Sequence, residues 1–259
     1  MLGLAGEDVG ADQLRSLLTS QGVHLDCLQV DPAYATICKT RVVARNQQLV
    51  RIDREKRTAF TAPQRERALA QFRALLPSLD AIIMEDYNKG LLDQPLVDAI
   101  VSLARGAGKI VSVDPNPGNN VMWHDVTCVT PNRLEAFQAA SVPWSDPVDP
   151  PIEDAALRKV GAALLDKWSC EQLLITLSEQ GMVLFQKGAE PFHIPTRAQE
   201  VFDVSGAGDT AIAIFTAALA GGATAAQAAE ISNHASGIVV GKLGTATVTR
   251  EELLASFAE

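Results

Sequence analysis

Asp203-Val204-Ser205-Gly206-Ala207-Gly208-Asp209-Thr210 is followed at once by an apolar, alanine-rich run from Ala211 to Leu219. A small-residue turn that opens a helix leaves backbone N–H groups unpaired and pointing at one spot. The helix dipole adds partial positive charge there, so the spot suits a phosphate. A carboxylate in the same place, Asp209, would repel an anion in the ground state. It makes sense as a base that takes the proton of a hydroxyl attacking that phosphate. The octet therefore points to phosphoryl transfer to an alcohol. Taken alone, the same residues also read as an ordinary turn with an acid near a helix start.

On either side of the octet, short apolar runs alternate with helical patterns. The runs Leu79–Met84, Lys109–Val113, Val126–Thr130, Leu173–Leu177 and Met182–Phe185 predict strands. Helices are predicted over Asp8–Ser20, Pro63–Leu76, Gln94–Ala107, Arg133–Ala140, Glu153–Lys167, Ala207–Ala220 and Ala225–Gly241. Nearly continuous apolar strands between helices imply a buried, mostly parallel sheet covered on both faces, an α/β fold. Functional residues then collect at the carboxyl ends of the strands. Glu85-Asp86, Asp114, Thr130-Pro131-Asn132 and Thr176 fall there. Two segments break the rhythm. Residues 35–53 read as two strands around a turn near Asn46, a hairpin that is marginal without something to lie on. Residues 141–152 form a proline-rich loop to which no chemistry is assigned.

The chain has 259 residues, is 47% hydrophobic and 20% charged, and carries a net charge of −9, a globular composition. It has no long basic run, so nucleic acid is not expected as a partner. No apolar run is long enough to span a bilayer, and no membrane association is expected. Cys27, Cys38, Cys128 and Cys170 are widely spaced, without a C-x-x-C pair or zinc spacing. They are expected to be reduced and mostly buried in a cytoplasmic protein. His24, His124, His193 and His234 are equally scattered.

Four further segments carry polar groups. In Thr130-Pro131-Asn132-Arg133-Leu134-Glu135, Asn132 and Glu135 are three apart and share one helix face. An amide and a carboxylate there can hold the water shell of Mg²⁺, and they can equally cap the helix. In Glu85-Asp86-Tyr87-Asn88-Lys89-Gly90, Asp86 and Lys89 are candidates to orient a sugar or a phosphate. In Asp114-Pro115-Asn116-Pro117, the prolines stiffen the loop and Asn116 is a candidate ligand contact. Lys39, Arg41, Arg45 and Arg51 place cations on the hairpin, where arginine suits a phosphate already present on a substrate.

Together, the D-x-x-G-A-G-D octet, the N-x-x-E pair, the E-D-Y-x-K-G segment and Ile175–Gly181 resemble the ribokinase-like (PfkB) carbohydrate kinases over essentially the whole chain. The resemblance implies a three-layer α/β/α sandwich with a small β-hairpin lid, residues 1–259 forming one kinase domain. It implies ATP and Mg²⁺, and leaves a monovalent cation open. It places Asp209, Gly206, Ala207 and Gly208 in catalysis and Asn132 and Glu135 at the metal. Arg133, Leu134, Thr176, Asn233 and Gly244 fall beside the nucleotide.

The segments 44–53 and 239–246 look like the heptose kinases of lipopolysaccharide synthesis. Those enzymes phosphorylate the anomeric hydroxyl of D-glycero-β-D-manno-heptose 7-phosphate. Arg45, Asn46, Gln47 and Arg51 join Asp86, Lys89 and Asn116 as expected sugar-phosphate contacts. A lid-mediated homodimer is a further expectation. Leu2–Gly10 resembles a segment that in the family lies well inside the protein, so the first family strands are expected to be missing. No H-x-G-H nucleotidyltransferase signature follows, and the kinase step alone is expected. Two alternatives stay open: another PfkB-type sugar or nucleoside kinase, and a truncated, non-catalytic nucleotide-binding remnant.

Overall fold

The computed structural model describes residues 1–44, 47–198 and 201–258, apart from the side chains at 43, 47 and 48. The expected contacts Arg45 and Asn46 lie outside the described residues, as does the side chain of Gln47. The chain divides into two units, residues 1–77 with 88–100, and residues 78–87 with 101–259.

In the first unit β1 (Leu2–Ala5), α1 (Val9–Ser20) and β2 (Cys27–Val30) form a parallel β–α–β element. Asp8 caps α1 through Oδ1, and its Oδ2 accepts from the Thr36 backbone N–H at 2.9 Å. The Thr36 N–H bond leads the contacts that hold the Asp8 carboxyl below the usual range. The hairpin is present as β3 (Cys38–Ala44) and β4 (Gln47–Arg54), paired antiparallel in a sheet of their own. Its register pairs Lys39 with Asp53, Arg41 with Arg51, Thr40 with Ile52 and Val42 with Val50. Side chains alternate across a strand, so Lys39, Arg41, Arg51 and Asp53 share one face. Thr40, Val42, Val50 and Ile52 share the other, where the three apolar residues are exposed. Helix α2 (Ala62–Leu75) follows, started by a Thr61–Gln64 capping box.

Helix α3 (Gln94–Gly106) has residues in both units. The second unit is built on a six-stranded sheet of β5 (Ala81–Glu85), β6 (Ile110–Asp114), β7 (Cys128–Val129), β8 (Gln172–Thr176), β9 (Met182–Gln186) and β10 (Phe192–Ile194). Strands β5 to β8 are parallel, as their apolar composition implies. The run Met182–Phe185, expected in the parallel set, instead pairs antiparallel with β8. Only five residues separate the two strands, and a parallel connection needs a crossover of about a dozen. Strand β7 is shorter than the expected Val126–Thr130. Backbone bonds from Thr127 to Val111 and from Thr130 to Val113 still continue the pairing on both sides.

Helices α4 (Arg133–Ala139), α5 (Ala155–Trp168), α6 (Ala207–Ala220), α7 (Ala225–Val240) and α8 (Arg250–Ala255) complete this unit. Leu174, Met182 and Leu184 form one core with Phe215 of α6 and Ala228 and Ala229 of α7. The next residue along β9, Phe185, points to the other sheet face and meets α5. There a Cβ on Gly161 would lie 2.4 Å from the Phe185 ring, so only glycine allows this helix–sheet approach. Helix α5 starts at Ala155, after the expected Glu153, because the Asp154 side chain accepts from the Ala156 and Leu157 N–H groups. The sequence did not signal β1, β2, β10 or α8, all six residues or shorter. Among the described residues, no helix is long and apolar enough to cross a membrane. Cys27, Cys128 and Cys170 are buried, Cys38 is exposed, and none is in a disulfide.

Candidate active site

The octet folds as its composition dictates. Gly206 has φ +83°, a left-handed conformation that suits glycine, and it starts α6 without a side-chain cap. Among the described residues, each other α-helix begins with an Asp, Asn or Thr side chain accepting from its first turn. The α6 start has no such side chain, and its Ala207 N–H donates to the Val204 carbonyl at 3.2 Å. Asp209 lies in that first turn, exposed, and accepts a 2.9 Å hydrogen bond from the Tyr87 hydroxyl.

Strands β5 and β6 each end in an acid, and Glu85 and Asp114 are register partners. Carboxylate oxygens of Glu85, Asp114 and Asp209 all lie within 4.8 Å of one another. Burial, with the Asp209 charge second, pushes the Glu85 carboxyl up to about 7. Burial and then the Glu85, Glu135, Asp209 and Asp86 charges push Asp114 up to about 8. Like charges gathered in a half-buried place hold protons tightly until a cation replaces them. The sequence placed both acids at strand ends without giving them a role. The available signal was two adjacent apolar strands that each stop at a carboxylate.

Thr176, Ala207, Gly208 and Asn233, all expected near the nucleotide or the transferred group, line one cavity of about 270 Å³. Val204, Gly237 and Val240 close it with apolar surface. The Asn233 amide donates to the Pro195 carbonyl at 2.7 Å. Gly244, expected beside the nucleotide, is not among the residues lining this cavity.

Asn132 and Glu135 sit together at the start of α4. They form a reciprocal capping box, with Asn132 Oδ1 accepting from the Glu135 N–H at 3.0 Å and Glu135 Oε2 from the Asn132 N–H at 2.9 Å. The capping reading of the pair is therefore realised, and Glu135 lies near enough to Asp114 to raise its carboxyl. Burial also raises Glu135 itself. Two further expected nucleotide contacts follow on the same helix. Arg133 is buried and its guanidinium pairs with Asp154 at 2.7 Å, because an arginine two residues before Glu135 points to the opposite side of the helix. Leu134 is exposed.

The expected sugar contacts are distributed as follows. Asp86 is buried at the end of β5 and accepts from the Asn119 amide at 2.9 Å. Asn116 Oδ1 is turned back onto its own loop, accepting from the Gly118 N–H at 3.0 Å. In the first unit, Lys89 pairs with Glu55 at 2.6 Å, and Glu55 also receives Lys39 at 3.9 Å. Arg51 makes a two-pronged pair with Asp53 at 2.8 and 2.9 Å. Arg41, directly opposite Arg51, has no ion-pair partner among the described residues.

The chain is 40% identical over 257 residues to the bifunctional protein HldE of Desulfatibacillum aliphaticivorans and 43% identical over 253 residues to that of Nitrosococcus oceani. These alignments cover 99% and 98% of this chain and 51% of each relative, so the chain spans about half the length of the curated relatives it matches. The ribokinase of Arabidopsis thaliana complexed with ribose and ATP superposes with a TM-score of 0.75 at 18% identity, covering 98% of this chain and 80% of that one. A ribokinase II from E. coli in complex with ATP and Mg²⁺ gives 0.73 at 16% identity, covering 99% and 82%. These likenesses establish the ribokinase-like α/β fold. A family profile described as pfkB family carbohydrate kinase matches residues 1–252, and the chain belongs to that family of kinases.

Proposed function

We propose that this kinase transfers the terminal phosphoryl group of ATP to the anomeric hydroxyl of D-glycero-β-D-manno-heptose 7-phosphate, giving the 1,7-bisphosphate. The observation that carries the transfer chemistry is the uncapped α6 start, with Asp209 in its first turn beside Glu85 and Asp114. The likeness to HldE proteins supports the heptose.

In this reading ATP occupies the cavity bounded by Thr176, Asn233 and the α6 start. The sugar hydroxyl oxygen forms the new bond to the terminal phosphorus, the bond to the bridging oxygen breaks, and ADP leaves. Asp209 takes the hydroxyl proton, and Tyr87 holds its other oxygen in place. Backbone N–H groups of Gly206 and Gly208 would face the charge on the transferred group, and that of Ala207 would join them on leaving its 3.2 Å bond to the Val204 carbonyl. Mg²⁺ would neutralise charge on the phosphates. The donor set fits such an ion: oxygen ligands, several acids, and carboxyl groups raised by mutual repulsion. Asn132 and Glu135 would hold it through water, with Glu85 and Asp114 the nearest further acids.

Lys39, Arg41 and Arg51 on one hairpin face, with Lys89, would receive the phosphate already on the sugar. Arg41 opposite Arg51 is a like-charge pair that an anion relieves. The exposed Val42, Val50 and Ile52 on the other face would meet a second copy of the chain in a homodimer. The test is ATP consumption with heptose 7-phosphate, fructose 6-phosphate or ribose as acceptor, with Asp209→Asn as control. The reading expects heptose-dependent turnover that falls about 10²–10⁴-fold in the variant. Preference for another acceptor rejects the heptose, and undiminished turnover in Asp209→Asn rejects the base.

A further inference from the structure

Arg133 and Asp154 are among the most buried charged side chains of the second unit, at 7% and 2% exposure. One guanidinium nitrogen of Arg133 donates to Asp154 Oδ2 at 2.7 Å and to the Ser145 carbonyl at 3.1 Å. Its planar head stacks over Phe137 at 4.7 Å and Trp144 at 5.3 Å. Asp154 serves two helices, since its other oxygen accepts from the Ala156 and Leu157 N–H groups at 3.0 Å each. One carboxylate thus ties the start of α4 to the start of α5. Trp144 and Ser145, in the proline-rich loop, are held by the same guanidinium.

The position of this clamp in the sequence gives it a purpose beyond packing. Arg133 stands between Asn132 and Glu135 and points inward while Glu135 points out. Asn132 and Glu135 cap each other, and that cap uses the same oxygens that would turn toward a ligand. When Glu135 releases the Asn132 N–H, the first turn of a seven-residue helix loses its reciprocal cap. Short helices have little stability of their own, so an unclamped start would fray. The Arg133 contacts do not involve the cap, so they would hold the turn if its oxygens changed partner.

We infer that Arg133 and Asp154 are a positioning pair that holds the Asn132–Glu135 turn in register for the metal–nucleotide. The inference rests on the proposed role of that turn. Neither residue touches the nucleotide. A lysine cannot replace Arg133, because it lacks the planar head that lies over Phe137 and Trp144.

The experiment uses the double variant Arg133→Met/Asp154→Asn. It removes both charges, leaves no orphan ion, and keeps an oxygen to accept from Ala156 and Leu157. Calorimetry measures MgATP and metal-free ATP binding, thermal melting reports folding, and steady-state assays give the Mg²⁺ midpoint and the sugar KM. The expected result is a folded protein in which MgATP affinity falls and the Mg²⁺ midpoint rises by about tenfold. Metal-free ATP binding and the sugar KM stay unchanged. A folded double variant with MgATP affinity and Mg²⁺ midpoint within about twofold of wild type overturns the inference. If the double variant does not fold, Arg133→Lys decides: weakened MgATP binding is expected, and wild-type binding overturns it. A wild-type chain that binds MgATP but phosphorylates no sugar sinks the functional proposal and leaves the binding comparison decisive. One that binds no MgATP sinks both.

Discussion

The Tyr87 hydroxyl donates a 2.9 Å hydrogen bond to Oδ1 of Asp209, joining residues 122 positions apart. The bond ties the carboxylate to Tyr87 at the uncapped start of α6, and in the proposed reaction the incoming hydroxyl meets Oδ2. Burial and the Asp209 charge push the Tyr87 phenol up, so it remains a donor through the physiological range. A hydrogen bond to a charged group contributes about 1.5–3 kcal/mol. Tyr87→Phe is therefore expected to lower kcat about tenfold or more with little change in the KM for ATP. Kinetics equal to wild type would show that Asp209 needs no such support.

Glu85 and Asp114 set a pH dependence whose sign follows from their shifts. Their ordinary values are 4.5 and 3.8, and in the folded chain they rise to about 7 and about 8. Between these limits the folded state binds more protons than the unfolded one, so this pair lowers stability as pH rises through the window. The melting temperature of the metal-free protein is expected to fall from pH 5.5 to pH 8.5. Mg²⁺ competes with those protons, so its stabilising effect should grow over the same range. Glu85→Gln should flatten both trends. A Mg²⁺ effect independent of pH would place the ion away from these carboxyls.

Gly206 and Gly208 are expected to respond oppositely to alanine. At Gly206, φ +83° and a Thr245 methyl 3.2 Å from a new Cβ make Gly206→Ala strained, by about 1–2 kcal/mol. At Gly208 a Cβ meets nothing within 4 Å, and the residue lies in a helix where alanine is favoured by about 1 kcal/mol. Gly208→Ala should keep or raise the melting temperature. Because Gly208 lines the cavity, its new methyl should still weaken ATP binding or slow turnover. Full activity in Gly208→Ala would argue that no phosphate approaches this backbone.

On the hairpin, Lys89→Met and Arg41→Met are each expected to raise the KM for the sugar phosphate several-fold without changing the KM for ATP. The ion pairs on this face are partly exposed, and such pairs contribute only about 0–1 kcal/mol to stability. Melting temperatures should barely move. An unchanged KM in both variants would assign the hairpin cations to solvent.

The order of apolar strands and periodic helices was legible because each element carries its own pattern over five or more residues. Strand β9 was legible as a strand but not in direction, which depends on the length of its connection to β8. The face occupied by the hairpin cations followed only from the observed register of Arg41 with Arg51, since a slip of one residue exchanges the faces. Arg133 illustrates the same limit at the site. Motif spacing placed it beside Asn132 and Glu135, and the turn of the helix sent its side chain to Asp154 instead.

By itself, the sequence determined the α/β class, the glycine-opened helix with Asp209 in its first turn, and the N-x-x-E start of α4. These are local features, written by chemistry that acts within a few residues. Only the tertiary structure decided that Glu85, Asp114 and Asp209 meet within 4.8 Å and that Tyr87 reaches Asp209. It also decided that Arg133 faces Asp154. Those relationships join residues from different elements, and packing of the sheet against its helices brings them together where sequence spacing carries no distance.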